Sequence, residues 1–73
     1  MVKVIVYEKT GKISLATMIN EHGEICPENL KDIIPCPIEL RYSIPEWIDE
    51  SCRKNAPCYL FLDENRYWAI KQA

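Results

Sequence analysis

Glycine and histidine are scarce in this chain, and their scarcity excludes several chemistries. Gly11 and Gly23 are the only glycines in 73 residues. They are too few and too far apart to build a loop that cradles phosphate with successive backbone N–H groups. No P-loop, GxGxxG or HExxH pattern occurs. The single histidine, His22, lies in the turn-like stretch NEHGE with no oxyanion loop in view. A Cys–His nucleophile pair therefore has little to build on. Long apolar runs are missing too, since nothing approaches the ~20 residues that cross a bilayer. The opening MVKVIVYEK lacks the longer apolar core and small-residue cleavage site of a secretory signal. The expected setting is cytoplasmic and reducing, with free thiols. No single sign of charge dominates: eleven acidic against nine basic side chains leave a net charge of −2. That balance supplies neither the clustered Lys and Arg of a phosphate-binding surface nor the dense acidity of a nucleic-acid mimic. Neither nucleic acid nor membrane is an expected partner.

What is present fits one α+β domain spanning residues 1–73. A hydrophobic fraction of 48% and a charged fraction of 27% belong to a folded globular chain. So short a chain holds one core and has little stability to spare. VKVIVYEKTGKISLATMIN reads as a β-hairpin of β-branched and aromatic residues turning at Gly11. The favoured register sets Glu8 opposite Lys12, Tyr7 opposite Ile13 and Ile5 opposite Leu15. NEHGE turns the chain at Gly23. PENLKDII then reads as a short helix, with Pro27 in its first turn, Leu30, Ile33 and Ile34 on one face, and Pro35 ending it. PIELRY alternates Ile38, Leu40 and Tyr42 with Glu39 and Arg41, the pattern of a short edge strand opened by Pro37.

SIPEWIDESCRKN carries the strongest helix pattern. Ser43 and Glu46 have capping-box spacing, acids lead and Arg53 and Lys54 follow, and Trp47, Ile48 and Cys52 form an apolar stripe. Asn55 serves as the C-terminal cap and Pro57 prevents continuation. CYLFLDENRYWAIK closes the chain as a second hairpin. A two-residue loop at Glu64 and Asn65 sets Asp63 opposite Arg66, Phe61 opposite Trp68 and Tyr59 opposite Ile70. Both faces of this hairpin are apolar, so one packs on the helices and the other needs cover from the chain or from a partner. The expected order is β-β-α-β-α-β-β, with a mainly antiparallel sheet and two short helices.

Cys26, Cys36, Cys52 and Cys58 are spaced C-x9-C, C-x15-C and C-x5-C. Structural zinc sites bring ligands in close pairs, which none of these spacings provides. Only H-x3-C, from His22 to Cys26, resembles such a pair, and a set of His22, Cys26, Cys52 and Cys58 would need the turn beside the second helix. Disulfides depend on spatial approach that spacing does not show. Free thiols serving as small buried hydrophobes is the favoured reading. No metal or other cofactor is expected. Glu46, Asp49 and Glu50 read as complements to a helix dipole and not as catalytic carboxylates.

Without catalytic apparatus, the expected role is a non-enzymatic protein-binding module. Size and lack of features suggest an accessory or inhibitor protein of a phage or other mobile element. Aromatic side chains with polar tips suit protein interfaces, which nominates Tyr59, Phe61, Tyr67 and Trp68 as the partner-binding surface, with Tyr7 and Trp47 as lesser candidates. Each of these also fits a core position. Stacking of nucleic-acid bases on the same aromatics would want a basic groove, and only Arg66 and Lys71 lie nearby. The partner is a protein of unspecified identity. A homodimer joined across the open hairpin face is a further arrangement the pattern allows. The alternative from a different class is a small zinc-stabilised nucleic-acid-binding or regulatory module.

Overall fold

The computed structural model describes residues 2–18, 25–63 and 65–73. The turn assigned to NEHGE, with His22 and Gly23, and Glu64 of the second hairpin lie outside them. Five strands form one antiparallel sheet: β1 (Val2–Tyr7), β2 (Ile13–Met18), β3 (Leu30–Pro35), β4 (Cys58–Leu62) and β5 (Trp68–Gln72). Their spatial order is β3-β2-β1-β4-β5. Two helices, α1 (Ile38–Tyr42) and α2 (Glu46–Lys54), lie between β3 and β4 in the chain. The α+β class with an antiparallel sheet and two short helices is as the sequence indicated.

The first hairpin forms in the expected register, with Tyr7 opposite Ile13 and Ile5 opposite Leu15. Glu8 N–H donates to Lys12 O at 2.9 Å and Gly11 N–H to Glu8 O at 2.9 Å, which closes a tight turn. Gly11 has φ +93°, a conformation that costs glycine nothing because it has no Cβ.

The two middle elements are the reverse of the sequence pattern. Pro27–Asn29 form a single 3-10 turn, and Leu30–Pro35 is a strand, not the second half of a helix. As a strand, LKDIIP takes ladder hydrogen bonds from β2, with Leu30 opposite Met18 and Ile34 opposite Leu15. Its β-branched Ile33 and Ile34 suit that geometry. PIELRY, expected as a strand, instead forms α1, with Pro37 at its N-cap and Glu39 and Arg41 at the ends that suit the helix dipole. The alternation of Ile38, Leu40 and Tyr42 misleads because only Leu40 reaches the core, while Ile38 and Tyr42 are exposed.

The second helix is where the sequence put it, but the capping box does not form. Pro45 is the N-cap of α2, and Ser43 Oγ donates instead to Leu40 O at 2.6 Å, finishing α1. Asn55 is the C-cap: its backbone N–H and its Nδ2 both donate to Ser51 O.

In the second hairpin the register is one residue off the expected one. Leu62 faces Trp68, Phe61 faces Ala69, Leu60 faces Ile70 and Tyr59 faces Lys71. Asp63 N–H donates to Tyr67 O at 2.9 Å and Arg66 N–H to Asp63 O at 3.0 Å, so the turn closes one residue later than a two-residue loop would. Arg66 supplies the left-handed residue, φ +64°, which glycine supplies in the first hairpin. Asp63 Oδ1 accepts from the N–H groups of Asn65 and Tyr67, both at 2.9 Å, and holds this turn together.

The shift decides what each face of the sheet carries. On the helix face, Ile5, Tyr7, Ile13, Cys58 and Leu60 pack with Cys36, Ile44, Ile48 and Cys52, and Trp68 borders them. On the outer face, Val4, Met18 and Tyr59 pack with Ile25, flanked by Val6, Leu30 and Phe61. The cover that the apolar hairpin needed on this side includes Ile25 and Leu30 of the same chain.

Candidate functional site

The four aromatic residues nominated from the sequence do not form one surface. Tyr59 is buried on the outer face, with Phe61 half-buried beside it. Trp68 stands half-buried on the helix face, and Tyr67 is exposed in the turn. The one-residue register shift separates them, because it carries Trp68 across the sheet from Tyr59 and Phe61. Of the two lesser candidates, Tyr7 is buried in the core and Trp47 is 73% exposed on α2.

Trp68 lies instead beside an apolar groove of about 240 Å³. The groove exists because α1 is short and sends only Leu40 inward, so the helices cover one end of the sheet and leave the other open. Its floor is Ile5, Leu15 and Leu60, its walls are Leu40, Leu62 and Trp68, Phe61 also borders it, and Lys3 is the one charged residue lining it among the described residues. Leu62 and Ile70, at 47% and 40% exposed, extend the same apolar surface toward the free edge of β5. Sequence reasoning missed Leu15, Leu40, Leu62 and Ile70 as site residues. The signal was Asp63 ahead of Asn65, a pairing that favours a longer type I-based turn and would have set the correct register.

A second, more polar cleft of about 420 Å³ lies between α1 and α2, lined by Arg41, Tyr42, Glu46, Asp49 and Arg53. Its two arginines and two carboxylates balance in charge. Asp49 is already engaged: Tyr7 Oη donates to Oδ1 at 2.7 Å and Arg53 Nε to Oδ2 at 2.9 Å. Desolvation pushes the Asp49 carboxyl upward, but the hydrogen bonds from Arg53 and Tyr7 and the charges of Arg53 and Arg41 outweigh it. Its pKa settles below the ordinary value, so Asp49 is an ionised acceptor, unsuited to act as a general acid near neutrality. The Tyr7 phenol is pushed far up, first by burial and then by the hydrogen bond and charge of Asp49. It serves as a donor, not a base.

The cysteines divide between the two faces. Cys52 and Cys58 are fully buried on the helix face, where Cys58 Sγ donates to Cys52 O at 3.2 Å. Burial, and then the neighbouring Cys58 thiol, push Cys52 up to about 12. Burial likewise raises Cys36 and Cys58. Cys26 is half-buried near Tyr59 on the outer face. The sheet therefore stands between Cys26 and the Cys52–Cys58 pair, so the three cysteines of the His22, Cys26, Cys52 and Cys58 set are not brought together, and His22 lies outside the described residues. All four cysteines are free thiols. Among the described residues no group of three or more His, Cys, Asp or Glu side chains is placed to hold a metal, and no helix is long and apolar enough to cross a membrane. Comparison with protein-family models, with curated proteins and with solved structures returns no match to this chain.

Proposed function

We propose that this chain is a non-enzymatic protein-binding module whose contact surface runs from the apolar groove along the β4–β5 hairpin. The observation that carries the reading is the groove itself: a concave surface of Leu, Ile and Trp side chains lying next to a strand edge that has no neighbour among the described residues. Apolar pockets beside an open edge suit an extended polypeptide segment, because the edge supplies backbone hydrogen bonds and the pocket takes alternate side chains. Trp68, Leu62 and Tyr67 are the anchors on this surface, and Trp and Tyr are residues that concentrate binding energy. Tyr59 contributes from behind, as packing that fixes the hairpin, and Phe61 both packs on that side and borders the groove.

The test uses isotope-labelled protein titrated with peptides selected from a random library of extended sequences. Binding peptides are expected to shift the amide resonances of β5, Leu62 and Leu15. Leu62→Glu, a change at a half-exposed position, is expected to keep the native circular dichroism and to abolish those shifts. Peptides that perturb a different surface, or that bind Leu62→Glu equally well, would remove the basis for this reading.

A further inference from the structure

The two edges of the sheet differ in how open they are to another strand. At one edge, β3 carries Asp32 with φ +53°, a register irregularity against β2 between Leu15 and Thr17, a lysine at residue 31, and Pro35 at its end. Each of these is a device that stops a strand from pairing further. At the other edge, β5 runs Trp-Ala-Ile-Lys-Gln with an unbroken ladder to β4 and without proline or left-handed residues. Its one charge, Lys71, shares a face with Tyr59, away from the apolar stripe.

The backbone of β5 can be sorted by its hydrogen bonds. Asp63 N–H donates to Tyr67 O, and Ala73 N–H donates to Pro57 O. Residues 67 and 73 therefore turn their polar groups toward β4, and antiparallel alternation gives Ala69 and Lys71 the same orientation. Trp68, Ile70 and Gln72 point their N–H and C=O groups outward, with no strand among the described residues to receive them.

Building on the protein-binding reading, we propose that the partner at this edge is a second copy of the chain, with β5 pairing antiparallel to β5 about a twofold axis at Ile70. The outward-facing residues are self-complementary in that register. Ile70 meets Ile70 of the second copy, and Trp68 meets Gln72, so every outward N–H finds an outward C=O. Lys71 falls opposite Ala69, which keeps like charges apart. Ile70, Trp68 and Leu62 from both copies then form one apolar stripe on the helix face. The groove end also gains a neighbour. Gln72 Nε2 donates to Asn55 O at the end of α2, so the twofold sets the helix-covered end of one copy beside the open, Trp68 end of the other. A five-residue strand pair is smaller than the ~1,600 Å² of a standard interface, so the dimer is expected to dissociate on dilution.

Sedimentation equilibrium of the whole chain tests this, over a dilution series from about 1 mM to about 1 µM. The proposal expects twice the chain mass at the upper end, and a monomer at every concentration overturns it. Ile70→Lys sets two ammonium groups face to face and is expected to weaken dimerisation at least tenfold while circular dichroism stays native. Undiminished dimerisation of that folded variant places the interface elsewhere and also overturns the proposal. In a Cys26→Ser background, Ile70→Cys is expected to give a disulfide-linked dimer on oxidation, since a hydrogen-bonded antiparallel pair holds Cα atoms about 5.5 Å apart. Ala69→Cys, on the opposite face and opposite Lys71, is expected to stay uncrosslinked; the reverse pattern refutes the register. If the chain is monomeric yet library peptides bind along β5, self-pairing fails and the protein-binding reading stands. If neither occurs, both fail.

Discussion

Tyr7→Phe isolates a side-chain hydrogen bond that ties the central strand to α2. Tyr7 is 2% exposed and its hydroxyl donates to Asp49 Oδ1 at 2.7 Å. Phenylalanine keeps the ring and its packing, so the change removes little besides that bond. A hydrogen bond to an ionised group contributes about 1.5–3 kcal/mol. Asp49 keeps Arg53, at 2.9 Å, and part of its side chain reaches water, so it is not stranded and the cost belongs at the lower end. About 1.5 kcal/mol in a domain of this size lowers the melting temperature by about 6–12 °C. The loss also has a pH signature. The Asp49 carboxyl sits below its ordinary 3.8 in the folded chain, so its contribution is present above that pH and is lost as pH falls through the folded value. Tyr7 supplies part of that depression, and the gap between Tyr7→Phe and the parent should therefore narrow in acid. Urea unfolding of the parent, Tyr7→Phe, Asp49→Asn and the double variant gives the coupling at neutral pH. A coupling within about 0.3 kcal/mol of zero, or a gap that widens in acid, refutes the reasoning.

The thiols set a limit at alkaline pH. Cys52 is fully buried with its pKa pushed from 9.0 to about 12, so its contribution is complete below pH 9 and falls as the unfolded thiol ionises. Denaturant midpoints should be flat below that point and then lose about 1.4 kcal/mol per pH unit for each such group, steepened by Cys36 and Cys58. Under native conditions a thiol reagent should modify Cys26 first and reach Cys52 and Cys58 only on unfolding, as peptide mass mapping would show. Arg66→Gly relieves a left-handed backbone that glycine adopts freely and should stabilise by about 0.5–1 kcal/mol in thermal melts. Gly11→Ala meets no atom within 4 Å and should cost about 1 kcal/mol from conformation alone.

Where local chemistry decided the outcome, the sequence was readable. Gly11 and the pairing of Tyr7 with Ile13 placed the first hairpin in register, and acids between Glu46 and Glu50 followed by Arg53 and Lys54 marked α2. The middle of the chain was decided by the sheet. Residues 30–35 form a strand because β2 offers a free edge, and that offer is invisible in LKDIIP itself. Once those residues were committed to the sheet, Ile38–Tyr42 had only to bridge from the edge to α2, and one turn of helix does this with a single inward side chain. The candidate surface was misplaced for a smaller reason. Arg66 takes a role usually given to glycine, which hid the longer turn and sent Trp68 to the wrong face.

The blunted β3 edge has a consequence for how far this chain can assemble. A sheet open at both edges accepts a neighbour on each side, and nothing then limits its growth into a ribbon or filament. Asp32, Lys31 and Pro35 leave only one edge receptive. Joining two copies there uses up both receptive edges and leaves a β3 at either end. The structure can thus keep the β5 edge open in a small domain without committing the chain to open-ended polymerisation, and a change that straightened β3, where Ile33 and Ile34 are exposed, would remove that stop.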